Sequence, residues 1–241
     1  MLASFGSAQG QDATEPVFID STAAVSAATQ ALGCLTASAD GKVDYLISAT
    51  RSVMVDSTTA FLSEQLDGMP VWIVHVSDVT FWGSGSVNPK WEATRDFDIY
   101  VDAATGLPIK AVARAHDYDA SNWSKPPADS AARFLQMVGH EYHGTPTEVP
   151  KVSLLTAMTV IVDPLTITKE IVAKYVLSSS PSHDPGPVWD VYMWGIRFGT
   201  QPGPRYLTDF GRWTIDAVDG TPLSCNNMPH QIPREADRLG D

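Results

Sequence analysis

The feature that most constrains this chain is a sequence that occurs twice in the same order. Pro70-Val71-Trp72-Ile73-Val74 matches Pro187-Val188-Trp189-Asp190-Val191 at four of five positions, offset by 117 residues. Further on, Asp102-Ala103-Ala104-Thr105-Gly106-Leu107-Pro108 matches Asp216-Ala217-Val218-Asp219-Gly220-Thr221-Pro222 at four of seven, offset by 114. The slip of three residues falls between the matches, where Gly83-Ser84-Gly85-Ser86 and Gly199-Thr200-Gln201-Pro202-Gly203-Pro204 read as hairpin loops of unequal length. A fold that repeats a supersecondary unit is the expectation.

Period-two alternation marks the strands. Trp72, Val74 and Val76 share one face, and Trp189 and Val191 begin the equivalent strand. Ile99 and Val101 correspond to Trp213 and Ile215. Thr105-Gly106 and Asp219-Gly220 supply the turn, because glycine accepts positive φ and the preceding polar residue bonds back to the backbone. After the turn, Ile109, Ala111 and Ala113 alternate in one copy, Leu223 and Cys225 in the other.

A helix is predicted ahead of each sheet. In the first copy Ile19-Asp20-Ser21-Thr22 opens an Ala-rich run to Leu32, with Gly33 as its stop. For the second copy the helix is placed at Ile167 to Val176, where Ile167, Ile171 and Tyr175 recur at i, i+4 and i+8 behind a Thr168 cap. A second short helix at Ser57 to Leu66 is expected in the insert before Trp72.

On these residues both copies resemble PepSY-type domains, which are cystatin-like in layout. The carriers are Trp72, Val101, Asp102, Thr105 and Gly106 in one copy, and Trp189, Ile215, Asp216 and Gly220 in the other. The resemblance implies an α+β fold of two repeated modules, each a helix packed on an antiparallel β-sheet. The domain expectation is a flexible lead at 1–14, a first repeat at 15–116, a connector at 117–150, a second repeat at 151–230 and a flexible tail at 231–241. It also implies an extracytoplasmic, non-catalytic protein associated with peptidase inhibition or the cell envelope. The matched positions Trp72, Asp102, Gly106, Trp189, Asp216 and Gly220 are then structural.

Composition excludes some classes. A formal charge of −12 without a basic cluster argues against nucleic acid. No stretch has the roughly 20 apolar residues of a membrane-spanning helix; Val152 to Val162 is too short and Ser21 to Ala39 too weakly apolar. Met1 to Glu15 lacks the basic and apolar regions of a signal peptide, and its small polar residues read as the lead of a processed exported chain. The two cysteines, Cys34 and Cys225, are a candidate disulfide, with buried thiols as the alternative.

Candidate chemistry is sparse. His116, Asp117, Asp119, His140, Glu141 and His143 combine imidazole and carboxylate in the connector, so His116, Asp119, His140 and His143 are weak metal candidates beside a solvated linker. The zincin pattern needs histidines four apart, and His140 and His143 are three apart. Asp96, Asp98 and Asp102 are expected on a plain solvent face. Trp72 and Trp189 are expected in the core, and the remaining tryptophans leave carbohydrate stacking open. No catalytic residue and no cofactor is expected, since the G-x-S-x-G, Walker A and dinucleotide patterns are missing.

The leading expectation is a non-enzymatic exported module that binds or inhibits a protein partner at the envelope. The alternatives are a small-ligand cone of cystatin or NTF2-like shape with an active site, and a structural surface protein.

Overall fold

The computed structural model describes residues 17–33, 47–53, 68–83, 91–115, 141–161, 166–167, 170–180, 183–198 and 206–231. In chain order these form α1 (Ser21–Leu32), β1 (Ile47–Val53), β2 (Pro70–Gly83), β3 (Trp91–Asp102), β4 (Pro108–Ala115), β5 (Glu141–Gly144), α2 (Leu154–Ile161), β6 (Thr166–Ile167), β7 (Glu170–Ser180), β8 (His183–Phe198), β9 (Tyr206–Asp216) and β10 (Pro222–Gln231). Ten strands make one sheet in the order β1-β2-β3-β4-β7-β8-β9-β10, with β5 paired to β7 and β6 to β8. Every pairing is antiparallel.

This overturns the expected α+β fold of two repeated, cystatin-like helix-on-sheet modules. The two meanders β1–β4 and β7–β10 are joined edge to edge, because β4 pairs with β7 from Lys110↔Lys174 to Arg114↔Glu170. Pairing the last strand of one meander with the first of the next satisfies two edges that would otherwise expose unpaired backbone groups. A single core follows. The helices, of 12 and 8 residues, both pack on the same sheet face. Ala24, Ala28 and Leu32 of α1 and Leu154, Ala157 and Met158 of α2 meet Val74, Ile99, Ala111, Ala173, Val191 and Ile215 in one continuous cluster.

The helix α1 lies where the sequence places it. Asp20 caps it by accepting a bond from the Ala23 amide at 2.8 Å, and Gly33 ends it at φ 86. The second helix does not lie at Ile167 to Val176. Ile171 and Tyr175 are on strand β7, and α2 comes earlier, capped by Ser153, whose Oγ accepts from the Thr156 amide at 3.3 Å. A spacing of four is even, so it fits period two as well as period 3.6. The β-branched Ile171, Val172 and Val176 favour the strand.

The sequence recurrence is a recurrence of local structure within this one sheet. Gly106 donates to the Asp102 carbonyl at 2.8 Å, and Gly220 to that of Asp216 at 2.9 Å. The two glycines have φ of 75 and 82, the left-handed region that a Cβ disfavours. Both turns lead into a bulge: Tyr100↔Lys110 shifts to Val101↔Pro108, and Thr214↔Ser224 shifts to Ile215↔Pro222. The first bulge turns Ile109 off the helix-covered face, where alternation puts it, and into a small cluster with Val71 on the other face.

Candidate functional site

Both turns anchor a corner built from the same bonds. Trp72 Nε1 donates to the carbonyl of Ile19 at 3.0 Å, and Trp189 Nε1 to that of Val152 at 2.8 Å. The Ile19 amide bonds back to the Ala103 carbonyl and the Val152 amide to that of Ala217, both at 2.9 Å. Each indole therefore fastens the chain just before a helix to a strand and its turn.

The corners differ in what fills them. In the first, Arg51, paired with Trp72, lays its guanidinium 4.0 Å from the centre of the Phe18 ring. By register and by the matched indole bonds, Tyr175 and Lys151 hold those two places in the second corner. There the site is an open cleft of about 260 Å³ lined by Pro146, Val149, Tyr175, Leu177, Pro187 and Val218, with Glu148 and Lys151 at its rim. Val149 and Val218 are two of the three large apolar side chains that stand exposed among the described residues. Tyr175 packs on Trp189 at 5.2 Å between ring centres and donates its hydroxyl to the Glu148 carbonyl at 2.8 Å. Burial, and then the Glu148 charge, push the Tyr175 phenol up to about 12.

The sheet face away from the helices carries polar rows set by the register. One runs Tyr100, Lys110, Lys174, Asp190, Thr214. The next runs His75, Asp98, Val112, Val172, Tyr192, Arg212. At the β8–β9 end these rows are sealed: Asp190 is 0% and Arg212 1% exposed. Arg212 donates Nε to Asp190 Oδ1 at 2.6 Å and Nη2 to Oδ2 at 2.9 Å, and the Tyr192 hydroxyl donates to Oδ2 at 2.6 Å. A buried carboxylate is tolerable only with such a set of donors.

At the β2–β3 end the matched positions are His75 and Asp98. His75 Nδ1 lies 2.7 Å from Asp98 Oδ1, and its Nε2 lies 3.1 Å from Ser77 Oγ. Beside Ser77 the strand bulges between Val76↔Phe97 and Val79↔Arg95, with Asp78 at φ 58. The Asp78 amide donates to Asp96 Oδ1 at 3.0 Å.

The residues singled out from the sequence fall in several places. Trp72, Asp102, Gly106, Trp189, Asp216 and Gly220 all belong to the two corners. Asp102 is not on a solvent face: it is 8% exposed and accepts from the Ala104 amide and the Thr105 hydroxyl, fixing the turn. His143 stands on β5 with Nε2 2.6 Å from Ser179 Oγ, while His116, Asp119 and His140 lie outside the described residues. Among the described residues no group of three or more His, Cys, Asp or Glu is placed to hold a metal ion. Cys225 is an exposed free thiol on β10, and Cys34 lies outside the described residues, as do Asp117 and the expected helix at Ser57 to Leu66. No described helix is long and apolar enough to cross a membrane.

Compared with family models, with curated proteins and with solved structures, the chain matches none.

Proposed function

We propose that the chain is a binding module working outside the cytoplasm, and that the open corner of its second half seats an apolar side chain of a protein partner. The observation that carries this is the cleft of the second corner. Val149 and Val218 stand exposed around it, whereas in the first corner Arg51 stacks on Phe18 and Val17 is the exposed side chain. Exposed apolar side chains grouped at one concavity are the mark of an interaction site.

Size favours a protein's side chain over a small ligand. About 260 Å³ falls below the roughly 300–1,000 Å³ typical of small-molecule pockets, but is ample for one or two side chains. Glu148 and Lys151 at the rim suit the polar flanks of such an anchor. The corner is not arranged for chemistry, since the Tyr175 hydroxyl is committed to the Glu148 carbonyl. The residues of the two corners, though not the fold, carry the resemblance to PepSY-type domains, and on that resemblance alone the proposed partner is a peptidase or envelope protein.

A photo-crosslinking residue at position 218, with one at the matched position 104 of the first corner as its control, tests the reading. The expected result is an adduct with one partner protein from 218, lost on Val149→Asp, and none from 104. Equal crosslinking from both positions would contradict it.

A further inference from the structure

We propose that Ser77, His75 and Asp98 form an acyl-transfer centre for carboxylic esters, separate from the corner cleft. Both side-chain hydrogen bonds of a serine–histidine–carboxylate relay are present. A carboxylate accepts only, so the 2.7 Å contact puts the proton on His75 Nδ1 and leaves Nε2 to take the Ser77 proton across 3.1 Å. The base is accessible and its positioning carboxylate shielded, with side chains 41% and 19% exposed.

The sheet builds this arrangement specifically here. His75 and Ser77 are two apart on one strand, where regular geometry would hold their Cα atoms about 6.6 Å apart with side chains standing parallel. The bulge at Ser77 and Asp78 bends the strand and re-aims the serine, as bulges beside active sites do. The matched stretch of β8 runs against β9 without this bulge, from Val188↔Asp216 to Trp194↔Phe210, and it has Tyr192 and Arg212 where the first half has His75 and Asp98. The constellation is therefore no by-product of the repeated framework.

In the reaction Ser77 Oγ attacks the ester carbonyl carbon, forming the Oγ–C bond as its proton passes to His75 Nε2. Collapse breaks the bond to the alcohol oxygen, which takes that proton and leaves as the alcohol. Water then gives a proton to His75 Nε2 as its oxygen bonds to the acyl carbon; collapse breaks the bond from that carbon to Ser77 Oγ, which takes the proton back from His75 as the carboxylic acid leaves. Base catalysis of this kind contributes on the order of 10²–10⁴-fold, so a measurable acylation is expected from these groups.

The test uses the full chain with a fluorophosphonate, read by intact mass and peptide mapping, and p-nitrophenyl acetate for kinetics. One adduct on Ser77 is expected, absent in Ser77→Ala, and formed at least about 100-fold more slowly in His75→Gln. Asp98→Asn should lower kcat at least about tenfold with KM unchanged, a split that a merely structural role would not produce. Far-UV circular dichroism checks that each variant folds. In Ser77→Cys, alkylation of the thiol should slow when His75 is also replaced. A wild-type chain that takes no adduct, or turnover equal in wild type and Ser77→Ala, would overturn the proposal.

Discussion

Arg212 holds both carboxylate oxygens of Asp190, at 2.6 and 2.9 Å, in a place where neither side chain is more than 1% exposed. Removing one partner strands the other charge away from water, which costs about 3–5 kcal/mol, whereas replacing both with apolar residues of similar volume is often near neutral. Urea unfolding should therefore show Asp190→Ala destabilised by about that amount, and Asp190→Leu with Arg212→Met much less than the two single changes combined. Additive losses would mean that the pair is not coupled.

The two indole bonds are expected to differ in worth. Trp189 is 1% exposed and Trp72 only partly buried, so water can replace the lost donor at Ile19 more readily than at Val152. Ile19 and Val152 are both partly buried, so what separates the two bonds is the ring; a carbonyl left unsatisfied away from water costs about 1–3 kcal/mol. Trp189→Phe should fall in that range and Trp72→Phe below it, as measured by denaturant midpoints.

Alkaline stability should depend on Tyr175. Its folded pKa is raised from 10.0 to about 12, so the unfolded chain gives up this proton first. Its contribution is fully present below pH 10 and is lost as pH rises toward 12. Tyrosinate absorbance should show a late phenol that is lost in Tyr175→Phe, and the variant's stability should fall less steeply across that window.

The residues that make the corners were legible because each obeys a local rule: glycine at positive φ, Asp20 at a helix start, tryptophan on alternating positions. Long-range facts were not. The four-residue recurrence of Ile171 and Tyr175 fits a strand face as well as a helix face, and beyond the β-branched neighbours nothing local separates the two until β8 lies beside it. Asp98 lies off the helix-covered core, as alternation predicts, but on no plain solvent face, since it is 19% exposed and bonded to His75. Its partner His75 depends on the β2–β3 register, which the bulge at Ser77 and Asp78 shifts by one residue further along. The Asp190–Arg212 pair is hidden for the same reason, because residues 22 apart in the chain meet only through the pairing of Asp190 with Thr214 and Tyr192 with Arg212.

The pairing of β4 with β7 turns two meanders into one sheet, and backbone NOEs between Ala111 and Ala173 and between Ala113 and Ile171 test it most directly. Cross-strand contacts at both pairs are expected, as strong as those within β2–β3 and β8–β9. Contacts retained inside each meander but missing between Ala111 and Ala173 would show two separate units and contradict this architecture.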